Sequence, residues 1–138
     1  MRVLCTAAIL IFVSFSCLIV DDNSSFLAAS QSVLQGQGVR VVGVARTVAE
    51  GLQRVHELKP DLVLVDIDLG EESGFDLARR LAARDHGGVS VILISTHPED
   101  DFADLIVESP ALGFVPKSDL SRSAIELVLE GYWGEACG

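Results

Sequence analysis

Apolar residues occur along this chain in two kinds of run. Short unbroken runs, CLIV at Cys17–Val20, LVLV at Leu62–Val65 and VILI at Val91–Ile94, suit strands covered on both faces. Between them the apolar positions recur every three or four residues, the spacing of one helical face. NSSFLAASQSVLQGQG puts Phe26, Leu27, Ser30, Val33 and Leu34 on such a face, with Asn23 or Ser24 as cap and Gly36 and Gly38 as stop. Val39–Ala45 is short and β-branched, hence a strand. TVAEGLQRVHELKP predicts a helix with Val48, Leu52, Val55 and Leu58 inward, ended by Pro60. After LVLV, SGFDLARRLAAR is helical through Phe75, Leu77, Ala78 and Leu81, and VSVILIS is a strand. EDDFADLIVES is a helix through Phe102, Leu105 and Ile106, closed early by Pro110. LGFV at Leu112–Val115 is a short strand, and DLSRSAIELVLEGYW is a last helix with Leu120, Ile125, Val128 and Leu129 inward. Gly131 is expected to end or fray it.

Five strands alternating with five helices predict an α/β domain, a doubly wound five-stranded parallel sheet with right-handed crossovers and helices on both faces. Periodicity does not give the strand order. It does locate the site, because ligands in such sheets collect beyond the carboxyl ends of the strands.

Composition narrows the partners. With 138 residues the chain suits one domain that needs neither disulfides nor a structural metal, and 49% hydrophobic with 22% charged residues is globular. Twenty acidic against ten basic residues leave a net charge of −10, which opposes binding to nucleic acid or anionic lipid. Cys5, Cys17 and Cys137 are odd in number and widely spaced, which favours a reduced cytoplasm over a disulfide framework or zinc site. His56, His86 and His97 show no helical metal spacing and are expected to be solvated.

The uncharged stretch Val3–Val20 allows two readings. It could be a signal peptide or membrane span, but CLIV would then be lost to the sheet. We favour the strand, with residues 1–14 an extension from a start codon placed too far upstream. The expected division is therefore 1–14, a domain at 15–131 and a tail at 132–138.

The strand ends supply Asp21 and Asp22 after CLIV, Asp66 and Asp68 around LVLVDIDLG, Ser95 and Thr96 after VILI, and Lys117 after GFVP. Clustered carboxylates raise one another's pKa unless a cation neutralises them, and hard oxygen ligands favour Mg²⁺. A single aspartate after a strand is commonly a turn or cap residue. Four strand ends that converge on a compatible set are harder to explain that way.

With these motifs, CLIVDDN, LVLVDIDLGEESGFDLARRL, VILIST and GFVPKS, the chain resembles the receiver domain of bacterial two-component response regulators from about Ser16 to Gly131. The resemblance implies a flavodoxin-like fold in which Asp66 accepts phosphate from the phosphohistidine of a histidine kinase or phosphotransfer protein. It implies Mg²⁺ held by the Asp22 and Asp66 side chains and the Asp68 carbonyl, with Asp21 acting through a bound water. Lys117 and Ser95 would contact phosphoryl oxygens, and Ser95 with Phe114 would form the switch pair. The output surface would be the fourth helix, fifth strand and fifth helix, meeting a downstream protein or a second copy as a homodimer. Asp68, Thr96 and His97 would tune phosphate lifetime.

The resemblance is incomplete in two places. Ser118 follows Lys117 where proline is common, leaving the geometry of that peptide open. SPALGF replaces a usual Ala-Gly stretch, so a shorter or shifted fourth helix is expected. The rival is a haloacid dehalogenase-like phosphatase, with Asp66 as nucleophile and Asp68 as general acid. Against it stand the acidic pair before D-x-D, the absence of an acidic strand end after Lys117, and the lack of room for a cap.

Overall fold

A computed structural model describes residues 15–83 and 89–137. Residues 1–14 and His86, on which two of the expectations rest, lie outside the described residues. The apolar runs become β1 (Ser16–Val20), β2 (Arg40–Ala45), β3 (Leu62–Asp66), β4 (Ser90–Ser95) and β5 (Gly113–Pro116). The amphipathic segments become α1 (Ser24–Gly36), α2 (Val48–Leu58), α3 (Gly74–Leu81), α4 (Ala103–Glu108) and α5 (Arg122–Cys137).

All pairings in the main sheet are parallel, in the order β2-β1-β3-β4-β5. Between β1 and β3 the order reverses, which opens a crevice at their carboxyl ends. The three central strands, β1, β3 and β4, are buried on both faces, and the edge strands β2 and β5 only in part. Leu18, Val20, Val63, Val65 and Leu93 face α2, α3 and α4 through Val48, Val55, Leu77, Leu81 and Ile106. Cys17, Ile19, Leu64, Ile92 and Ile94 face α1 and α5 through Leu27, Leu34, Ile125 and Leu129. This alternation along each strand is why the central runs are apolar without interruption.

Local signals place the helix ends. Asn23 caps α1 by accepting the Phe26 N–H at 3.1 Å, and Gly38 takes a left-handed φ of +86° after it. Lys59 leaves α2 in the left-handed conformation just before Pro60. The described peptide bonds are all trans, so Lys117–Ser118 keeps the ordinary isomer, and Lys117–Asp119 forms a 3₁₀ turn.

Several expectations need correction. The fourth helix is split: Glu99–Phe102 is 3₁₀ and only Ala103–Glu108 is α-helical. The tighter turn shifts the phase, so Ile106 is buried while Leu105 stands 51% exposed. Val33 and Leu58 lie at the edges of their apolar stripes and are exposed as well. The last helix starts at Arg122 rather than Asp119, and it runs through Gly131 to Cys137. A helical glycine costs about 1 kcal/mol, and no proline follows to enforce a stop.

Candidate functional site

At the crevice the ends of β1, β3, β4 and β5 deliver polar side chains to one cleft of about 210 Å³. It is lined by Asp21, Asp22, Asp66, Asp68, Ser95, Thr96, His97 and Lys117, which unites every candidate except Phe114. Asp21 and Ser95 are buried, Asp66 is 5% exposed, and Asp22, Asp68, Thr96 and His97 reach solvent.

Lys117 bridges the buried acids. Its Nζ donates to Asp66 Oδ2 at 3.0 Å and lies 2.5 Å from Asp21 Oδ2. The second contact is a close ion pair, so Asp21 Oδ2 and Asp66 Oδ2 rest against the same ammonium. Asp21 Oδ1 accepts the Asn23 N–H at 2.8 Å, which turns the chain into α1. Asp66 Oδ1 accepts the Asp68 N–H at 3.1 Å. The Lys117 ammonium also sits 4.4 Å from the centroid of the Phe26 ring, a cation–π contact.

The charge balance is acidic. Burial, reinforced by the neighbouring Asp21 charge, pushes the Asp66 carboxyl up to about 6, even though Lys117 and the Asp68 N–H favour its anion. Burial opposes the charge on Lys117, but contact with Asp21 and Asp66 outweighs it and raises the lysine above its ordinary value. Carboxylate oxygens of Asp21, Asp22 and Asp66 lie within 4.8 Å of one another, against a single ammonium. This set of hard oxygen donors, with three carboxylates against one ammonium, fits a hard divalent cation.

Ser95 Oγ accepts the His97 N–H at 3.0 Å, which holds the hydroxyl at the cleft wall. The His97 ring meets Phe102 edge-on at 6.0 Å. Phe114 lies outside the cleft, half-buried on β5 opposite Leu93 and packed on the α2–α3–α4 side of the sheet.

Some supporting residues had escaped sequence reasoning. A two-stranded ribbon pairs Asp68 with Ser73 and Leu69 with Glu72, fixing the Asp68 backbone beside Asp66. Gly70 turns the ribbon at φ +75°, and a Cβ there would lie 3.2 Å from Asp22 Oδ2. A Cβ on Gly74 would collide with the Asp66 carbonyl oxygen, so only glycine lets α3 start directly beneath the strand end. Glycines at these two positions, in a stretch with no other reason for them, were the signal available.

A doubly wound sheet whose switch point carries three clustered aspartates and a bridging lysine defines a class of acidic-cleft α/β domains. The family model of the response regulator receiver domain matches residues 17–128, and the chain belongs to that family, the receiver domains of two-component systems. Response regulator GacA from Pseudomonas viridiflava is 32% identical, over 83% of this chain and 55% of its own length. The DNA-binding transcriptional activator EvgA from Escherichia coli K12 is 27% identical, over 83% of this chain and 57% of its own. This chain thus spans little more than half the length of these relatives. The signal receiver domain of the putative response regulator NarL from Mycobacterium tuberculosis superposes with a TM-score of 0.71 at 26% identity, covering 88% of this chain and 97% of that one. Nothing in these likenesses favours the phosphatase reading.

Proposed function

We propose that Asp66 is the phosphoacceptor of this receiver domain. The observation that carries the proposal is the placement of Asp66: a buried carboxylate at the switch point, touched by Lys117 and flanked by Asp21 and Asp22. One Asp66 oxygen attacks the phosphorus of a phosphohistidine on a histidine kinase or phosphotransfer protein. The new P–O bond forms as the P–N bond breaks, and the electron pair returns to the imidazole nitrogen. A carboxylate needs no base for this, but it needs its own charge and that of the phosphoryl group offset.

Mg²⁺ would be held by the Asp22 and Asp66 carboxylates and the Asp68 carbonyl, with Asp21 through water, and would supply charge neutralisation for the incoming phosphoryl oxygens. Lys117 pairs with one phosphoryl oxygen by releasing part of its contact with Asp66. Ser95 donates its hydroxyl hydrogen to another, and Phe114 turns inward in response. The bias is passed to the face formed by α4, β5 and α5, where a downstream protein or second copy docks. Exposed Leu105 and Val107 on α4 and Leu127 on α5 give that face apolar contact area. Asp68, Thr96 and His97 border the cleft and set the lifetime of the phosphate. Catalysis is confined to loading and unloading this aspartate, in the cytoplasm. No described helix is long and apolar enough to cross a membrane.

Intact mass after incubation with acetyl phosphate and Mg²⁺ tests the assignment. One added phosphoryl group is expected in the parent and none in Asp66→Asn. An adduct that survives the substitution, or steady hydrolysis of p-nitrophenyl phosphate that Asp68→Asn abolishes, would reject it.

A further inference from the structure

The turn that begins α2 touches both loops that hold the proposed metal ligands, though it carries no ligand itself. Thr47 caps α2 by accepting the Glu50 N–H at 3.1 Å, and Glu50 Oε1 accepts the Arg46 N–H at 2.7 Å. This pair fixes the backbone from which Arg46 reaches back: its Nη2 donates to the carbonyl oxygen of Asp22 at 3.1 Å. Val48 N–H donates to Glu72 Oε1 at 3.0 Å, and Glu72 stands opposite Leu69 in the ribbon that presents Asp68. Each tie joins residues 24 positions apart.

The two loops are already close, since a Cβ on Gly70 would lie 3.2 Å from Asp22 Oδ2. Asp22 and Asp68 are themselves exposed, so although their neighbours Asp21, Ile67 and Leu69 are buried, the spacing between the two loops at the ligands depends on polar ties as well as on packing. Fixing a backbone residue costs about 1–2 kcal/mol, and a loop left free would meet that cost when the ion binds. We propose that Arg46 and Glu72 are positioning residues, a brace from residues 46–48 that preorganises the Asp22 and Asp68 loops and thereby sets the affinity of the site for Mg²⁺. The inference rests on the reading of this cleft as a Mg²⁺-dependent phosphoacceptor site.

Charge and positioning predict opposite outcomes here. Arg46 is a cation near a cation site, so if it acted only through charge its removal would tighten Mg²⁺ binding. Glu72 is an anion, so on charge alone Glu72→Gln would weaken binding as much as Glu72→Ala. A brace requires weaker binding in Arg46→Ala and Glu72→Ala, by about two- to tenfold for a single hydrogen bond, with Glu72→Gln close to the parent because the amide oxygen still accepts.

Calorimetric titration of the whole chain with MgCl₂, beside urea unfolding in EDTA, distinguishes these outcomes. The expected result is lower Mg²⁺ affinity in the two alanine variants, rescue in Glu72→Gln, and little change in metal-free stability. Tighter binding in Arg46→Ala, unchanged affinity in all variants, or an affinity loss that only follows loss of folded protein would overturn the brace. A parent that takes up neither Mg²⁺ nor phosphate from acetyl phosphate would overturn the phosphoacceptor reading and the brace with it. A parent that does both while its variants match it rejects the brace alone.

Discussion

Asp66 is buried, acidic and adjacent to another buried acid, an arrangement that favours chemistry over stability. In the unfolded chain its carboxyl titrates near 3.8, and in the fold near 6, so the folded state binds this proton more tightly. Stability from that difference is full below about pH 4 and is lost as pH rises to about 6, a change on the order of 2–3 kcal/mol. Urea unfolding in EDTA should show this decline, and Asp66→Asn should flatten it; a slope that persists in the variant would place its origin elsewhere. Lys117 acts in the other direction. Lys117→Ala leaves Asp21 and Asp66 buried without their cation, which should cost about 3 kcal/mol at neutral pH and abolish the phosphoryl adduct. An unchanged unfolding midpoint would show that the pair is dispensable.

Among the elements, the ribbon and the start of α3 have the least freedom. Gly74→Ala places a methyl group against the Asp66 carbonyl, where the obstacle is backbone and cannot rotate aside. A loss of about 2–3 kcal/mol together with poor phosphorylation is expected; parent-like unfolding would show that the β3–α3 junction yields easily. How legible each element was in the sequence follows from what wrote it. LVLV and VILI announced central strands because burial on both faces leaves no polar position to confuse the pattern. The chain from Glu99 to Glu108 did not announce its change of pitch, since Phe102, Leu105 and Ile106 fit a single 3.6-residue period until the 3₁₀ turn displaces Leu105. Asp21, Asp22, Asp66 and Lys117 were legible as strand-end residues. Arg46 and Glu72 were not, because their partners are the backbone groups of Asp22 and Val48, which carry no mark in the residue types.

As a whole molecule the domain has two apolar layers, one on each side of a single sheet, so few core positions are spare. Leu129 is fully buried on the α5 side, whereas Leu127, two residues earlier, is 70% exposed. Leu129→Ala should cost about 2–5 kcal/mol, and Leu127→Ser should stay within about 0.5 kcal/mol of the parent. Equal effects on the urea midpoint would mean that the exposed face of α5 is covered in solution. The lysine at the end of β5 also bears on the charge balance of the whole domain. Its ammonium stands as an internal counterion between Asp21 and Asp66, so the two most deeply buried acids of the cleft share one resident cation. On the proposed reading of the cleft, Mg²⁺ would add to that resident charge and would not have to supply all of it.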